Sequence, residues 1–147
     1  MKAKSIKELI DIALSNGNKY AEFNFSKVPV SQSKIMESKT GIKLVGCSRI
    51  IDTNGIRHTL RRHGSEIEEA KRGQVAVNLD DFNKIPLIVK EPDSIKYGGK
   101  NKLKQDFFIY EKKIGDTYFL SEAVKVASAG NQLVFSSMYK RKKKSTK

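Results

Sequence analysis

Apolar and polar positions change their spacing along this chain, and each spacing predicts a different element. Ile6, Leu9, Ile10 and Ala13 recur at helical intervals behind the capping-box pattern Ser5-Ile6-Lys7-Glu8. A short amphipathic helix is expected there, stopped by Asn16-Gly17-Asn18. Residues 20–40 are polar and mixed, with Phe23, Phe25 and Val28-Pro29-Val30 as scattered anchors. Residues 1–40 are therefore read as an accessory segment that packs on, or leads into, a main domain. From Gly41 the pattern tightens. Lys43-Leu44-Val45 and Arg49-Ile50-Ile51 predict short strands or one bent strand. Thr53-Asn54-Gly55 turns into a helix over residues 56–63, with Ile56 and Leu60 on its buried face and Gly64 as its stop. Asn78, with Asp81 three residues on, opens a further helix through Phe82 and Ile85; Pro86 kinks or restarts it and Pro92 closes it.

Beyond Ser94 the period becomes two. Residues 107–113, 117–126 and 133–140 predict three strands, with turns at Ile114-Gly115-Asp116 and at residues 127–131. In the last strand, alternation places Leu133, Phe135, Ser137 and Tyr139 on one face and Val134, Ser136, Met138 and Lys140 on the other. Helices first and a meander after them predict an α+β domain, with short helices on one face of an antiparallel sheet. Its extent is 41–140, and the lysine-rich residues 141–147 read as a disordered basic tail.

Charge changes the picture next. The chain of 147 residues has a net charge of +13. Residues 140–147 carry six of those positive charges and leave +7 on the rest, so the folded part is basic as well. A polyanionic partner is expected. Cys47 is the only cysteine, which excludes an intramolecular disulfide and suits a reducing compartment. Gly46-Cys47-Ser48 sits between apolar residues and reads as core or strand rather than as a nucleophile. One cysteine and two histidines cannot close a zinc site without carboxylates, and no metal-ligand spacing is present, so no metal or cofactor is expected. No apolar run approaches the ~20 residues that span a bilayer. Glu8 and Asp11 interrupt any signal-peptide core, so a cytoplasmic protein is expected.

The candidate chemistry lies in Arg57-His58-Thr59-Leu60-Arg61-Arg62-His63-Gly64, which holds both histidines of the chain. Histidine gives and takes protons near neutral pH, and arginine holds phosphate with paired hydrogen bonds. His58 and His63 are about 140° apart on an ideal helix, so they cannot stand side by side unless the helix end is distorted. Each has an ordinary alternative. His63 in a last turn can satisfy helix carbonyls, and His58 can belong to a solvated polar face. Ser137 and Tyr139 offer phosphate-binding hydroxyls two residues apart, Lys112 and Lys113 end a neighbouring strand, and Glu122 inside a strand is expected to face water or a site.

Several short motifs in order carry a resemblance: Thr40-Gly41-Ile42, Gly46, Arg49-Ile50-Ile51-Asp52, the segment 56–64, Arg72-Gly73-Gln74, Asp80-Asp81-Phe82 with Ile85-Pro86, and Ser137-Met138-Tyr139-Lys140. Over residues 40–140 the chain resembles phage and prophage toxin-like nucleases of the barnase–EndoU–colicin–RelE group. The resemblance implies a small α+β fold and a metal-independent ribonuclease, with His58, His63, Ser137 and Tyr139 as functional positions. Ser137 stands where a threonine is expected, and the hydroxyl is kept.

RNA supplies its own 2′-hydroxyl nucleophile, so a proton shuttle and a cation suffice to yield a 2′,3′-cyclic phosphate. His58 and His63 are the expected proton carriers, Ser137 and Tyr139 the phosphate-positioning groups, and Arg57, Arg61, Arg62, Lys112 and Lys140 the substrate-binding cations. RNA is the expected partner, together with an acidic inhibitor that would restrain a toxic activity; no membrane partner is expected. The rival reading is a non-catalytic RNA- or DNA-binding module on a degenerate nuclease fold.

Overall fold

In the computed structural model, which describes residues 1–15 and 17–142, the chain forms an α+β single domain. Helix α1 (Ile6–Leu14) begins where Ser5 Oγ accepts the Glu8 amide at 3.1 Å, and it buries Leu9, Ile10 and Ala13. Strand β1 (Glu22–Lys27) and helix α2 (Val30–Thr40) follow. The chain then turns at Val45-Gly46, where a strand over 43–45 was expected; Gly46 adopts φ +75°, and the first strand residue is Ser48. Strand β2 (Ser48–Asp52) runs directly into helix α3 (Thr53–His63), because Asp52 caps the helix by accepting the Gly55 amide at 2.8 Å. The helix thus starts three residues before Ile56, and Gly64 ends it as expected. A short helix α4 (Glu66–Lys71) comes next. Asn78 and Asp81 form a reciprocal capping box that opens a 3-10 turn (Leu79–Lys84), and Pro86 in the first turn restarts the chain as α5 (Ile85–Lys90).

The remaining strands are β3 (Ser94–Lys100), β4 (Asp106–Ile114), β5 (Asp116–Lys125) and β6 (Gln132–Arg141). All six form one sheet in the order β1-β2-β6-β5-β4-β3. Neighbours are antiparallel except β2 and β6, which are parallel over Ser48–Ile50 and Gln132–Val134, so the sheet is mixed where an antiparallel one was expected. Residues 1–40, expected to pack on or lead into the main domain, share its sheet and core: β1 is an edge strand, and Leu9, Ala21, Val28 and Met36 lie in the common core. At the other end, Arg141 still pairs with Thr117 in the sheet, and the rest of the expected disordered tail, beyond Lys142, lies outside the described residues, as does Asn16.

The helices cover one face of the sheet, where Phe108, Tyr110, Leu120, Val124, Leu133, Phe135 and Met138 are buried. Glu122 also faces this core. Its Oε2 lies 3.3 Å from Arg49 Nε, and Arg49 further donates to the Tyr110 hydroxyl and the Val89 carbonyl. The acid in the strand therefore faces neither water nor a cleft; it pairs with a buried guanidinium that ties β2 to β5 across β6. A bulge corrects the expected alternation of β6. Ser121 pairs with Ser137 but Glu122 with Phe135, which leaves Ser136 as an extra residue. Phe135 and Met138 consequently share the buried face with Lys140, whereas Ser137 and Tyr139 share the open face.

Candidate active site

Strand β2 pairs with only the first part of β6, and α3 lies against the edge it leaves free. The approach is close: a Cβ at Gly55 would sit 2.7 Å from the Phe135 carbonyl oxygen, so glycine is required where the helix crosses that edge. Ile56 and Thr59 are buried beneath α3. Its polar flank borders an open cleft of about 740 Å³ over the uncovered face of the sheet. Ser136, Ser137, Val134 and Ala123 form the floor, and α3 contributes Asn54, His58, Arg62 and His63. The loop between β3 and β4 supplies Asn101, Lys102, Leu103 and Gln105, and Tyr20, Glu22 and Asp52 line it from the β1–β2 edge.

Both imidazoles thus line one cleft although the helix sets them far apart. His63 is the final residue of α3, and contacts from outside the helix hold it. Its Nδ1 lies 3.1 Å from Oε1 of Glu69, a fully buried carboxylate on α4. Its ring is 5.6 Å from that of Tyr139, at 33°. Tyr139 stacks in turn on Phe119 at 4.8 Å, and the Arg141 guanidinium lies over both rings. Arg72 secures the carboxylate, donating to Glu69 Oε1 at 2.6 Å and to the Arg62 carbonyl at 2.7 Å. With Nδ1 at the carboxylate, Nε2 is the other nitrogen of a ring that lines the cleft. His58 is half-buried, and burial, followed by the charges of Arg61 and Arg62, lowers its pKa below the ordinary 6.5. It is held as a neutral imidazole at neutral pH.

The expected cations divide sharply. Arg62 lines the cleft, and Arg61 is exposed nearby on the same turn. Arg57 points away, donating to the carbonyls of Ala13 and Lys19 and so capping α1. Lys112 donates to the Glu91 carbonyl at 2.6 Å beside the helical layer. Lys140 is buried on the helix-covered face, 2.9 Å from Asp81 Oδ2. The β6 bulge is what turns Lys140 inward. Arg57, Lys112 and Lys140 therefore serve the fold and are not brought to the cleft. Cys47 lies in a separate loop before β2, half-buried against the core.

Other lining groups come from parts of the chain with no such signal. The Tyr20 hydroxyl donates to Glu22 Oε2 at 3.0 Å and to Asp52 Oδ2 at 3.4 Å. Burial raises the Asp52 pKa, against the lowering effect of the Gly55 amide. Among the described residues no group of three or more His, Cys, Asp and Glu side chains is placed to hold a metal ion, and no helix is long and apolar enough to cross a membrane.

Residues 26–147 match the family model described as phage-Barnase-EndoU-ColicinE5/D-RelE like nuclease3. No curated protein and no solved structure matches the chain.

Proposed function

The chain belongs to the phage Barnase–EndoU–ColicinE5/D–RelE-like nuclease family, and on that premise we propose that it is a metal-independent endoribonuclease acting through His58 and His63. The observation that supports this reading best is the meeting of two histidines, an arginine and a serine hydroxyl in one cleft over the open sheet face.

In this mechanism neutral His58 takes the proton of the ribose 2′-hydroxyl. The freed oxygen attacks the adjacent phosphorus and forms the O2′–P bond. The P–O5′ bond breaks, and the departing 5′-oxygen takes a proton from Nε2 of His63. The products are a 2′,3′-cyclic phosphate and a free 5′-hydroxyl; water returns the two imidazoles to their starting states. Arg62 offsets charge on the phosphorane, and Ser137 positions a non-bridging oxygen. Tyr139 holds the His63 ring by contact and offers its hydroxyl on the same face. Glu69 accepts a hydrogen bond from Nδ1–H of His63 and so orients the ring; in the imidazolium form that acts as the acid, the second proton sits on Nε2.

This division of labour predicts the pH dependence. A base must be neutral, and the His58 pKa is lowered, so the acid limb of kcat/KM has its midpoint below 6.5. Glu69→Gln keeps an acceptor but removes the charge, and is expected to cost roughly tenfold or more in kcat with little change in KM. Steady-state kinetics across pH check both. An acid limb above that value, or a Glu69→Gln effect confined to KM, would reject the assigned roles.

A further inference from the structure

The wall of the cleft opposite α3 is the tip of the β3–β4 hairpin, and nothing in the proton chemistry uses it. We infer that this hairpin is a second binding site, for the stretch of single-stranded nucleic acid that leaves the cleft; the inference rests on the nuclease reading above.

Charge is the first reason. Lys96, Lys100, Lys102 and Lys104 are exposed along the hairpin, whereas the acid at its tip, Asp106, is already engaged by the Tyr97 hydroxyl at 2.6 Å and Lys100 Nζ at 3.1 Å. The second reason is order. Asn101 Oδ1 accepts the amides of both Leu103 and Gln105, its Nδ2 donates to Gln105 Oε1, and the Lys104 amide donates to the Asn101 carbonyl. These bonds hold Lys104 at φ +61°, a left-handed conformation that a lysine takes only when its surroundings impose it. The tip is thus organised before any ligand arrives. Third, Leu103 is 77% exposed and lines the cleft, an apolar surface offered where a nucleobase would lie.

Position decides what is bound. Strands β6, β5 and β4 are successive neighbours, so α3 and the hairpin are separated by two strand spacings, roughly 10 Å. A cleft of that width has room for more than one nucleotide. A phosphate held at Arg62 leaves those of neighbouring nucleotides to Lys102 and Lys104, with a base against Leu103. The hairpin therefore favours chains of several nucleotides over a dinucleotide, without contributing to bond cleavage.

The test compares wild type with Lys102→Gln/Lys104→Gln and with Leu103→Ser, after thermal melting confirms that each variant folds. Fluorescence anisotropy with a labelled single-stranded DNA dodecamer, which lacks the 2′-hydroxyl, reads binding across a salt series. The double lysine variant is expected to lose about tenfold in affinity at low salt. The slope of log K against log salt should flatten by about 1.4, at ~0.7 per phosphate contact on a single strand. Leu103→Ser is expected to weaken binding while leaving the slope alone. Turnover of long RNA at low concentration should fall with the affinity, and by a larger factor than turnover of an RNA dinucleotide. Wild-type affinity and slope in the double variant would overturn the inference, as would equal losses on dinucleotide and long RNA. A wild-type protein that cuts no RNA would overturn the nuclease reading alone, because the anisotropy comparison still decides the hairpin.

Discussion

His58→Ala is expected to lower RNA cleavage by about 10²- to 10⁴-fold, the range typical of losing one general acid–base group. Folding should be nearly untouched. His58 is only half-buried, alanine is a better helix former, and the core beneath α3 is made by Ile56 and Thr59 instead. The lowered pKa also fixes the sign of an effect on stability. In the pH range below the ordinary 6.5 the unfolded chain binds a proton that native His58 resists, so native stability is lost as pH falls through the folded-state pKa. His58→Ala removes that loss and should unfold less readily in mild acid. Kinetics on a labelled RNA and thermal melting at two pH values check both parts. Near-wild-type turnover would remove His58 from the chemistry, and a large drop in melting temperature would assign it to the fold.

The largest stability effect is expected at the opposite face of the sheet. Arg49 and Glu122 are each only 1% exposed, and the pair joins β2, β5 and, through the Val89 carbonyl, α5. Arg49→Met keeps much of the volume but leaves the Glu122 carboxylate buried without its cation. Breaking such a pair costs about 3–5 kcal/mol, which for a domain of this size lowers the melting temperature by roughly 6–20 °C. Burial already pushes the Glu122 pKa up, with Arg49 opposing it. An acid whose folded pKa is raised loses native stability as pH rises from its ordinary value through the folded one. Without Arg49 that window widens, so the defect should be smaller in acid, where Glu122 is neutral. Adding Glu122→Leu should restore most of the loss, because two apolar residues leave no charge to desolvate. Denaturant titrations of the single and double variants give the answer; equal losses in both would show that packing volume, not charge, governs the site.

The parts of this molecule visible in its sequence are those whose signals are local. Strands β4 and β5 show period two, β6 shows it on either side of its bulge, and the Asn78–Asp81 box and the Gly64 stop need only their neighbours. Strand β3 has no such signal, because Gly98-Gly99 interrupts the alternation after Ile95 and Tyr97; its bulge puts Gly98 under the Phe107 ring, where a Cβ would lie 2.1 Å from the ring. Helix α2 has no apolar stripe, and buries Gln32, Ser33 and Met36. Lys140 misled because a bulge depends on the partner strand. Alternation alone placed it beside Ser136, whereas pairing with β5 turns it into the core. At the site, the two histidines were legible as a basic cluster. Glu69 was not, since it sits in an acidic run that resembles a solvated helix, and only tertiary packing buries one of those carboxylates under His63.

The proposed cleavage of RNA proceeds by activation of the RNA's own 2′-hydroxyl. Its most direct test is a matched pair of oligonucleotides, one all-ribose and one with a single 2′-deoxy nucleotide at the site of cutting, incubated with the protein in excess EDTA and read by mass spectrometry. The all-ribose strand is expected to be cut to a 2′,3′-cyclic phosphate and a 5′-hydroxyl while the deoxy-substituted strand stays intact at that position. Cleavage of both strands, dependence on added magnesium, or binding without any cleavage would contradict it.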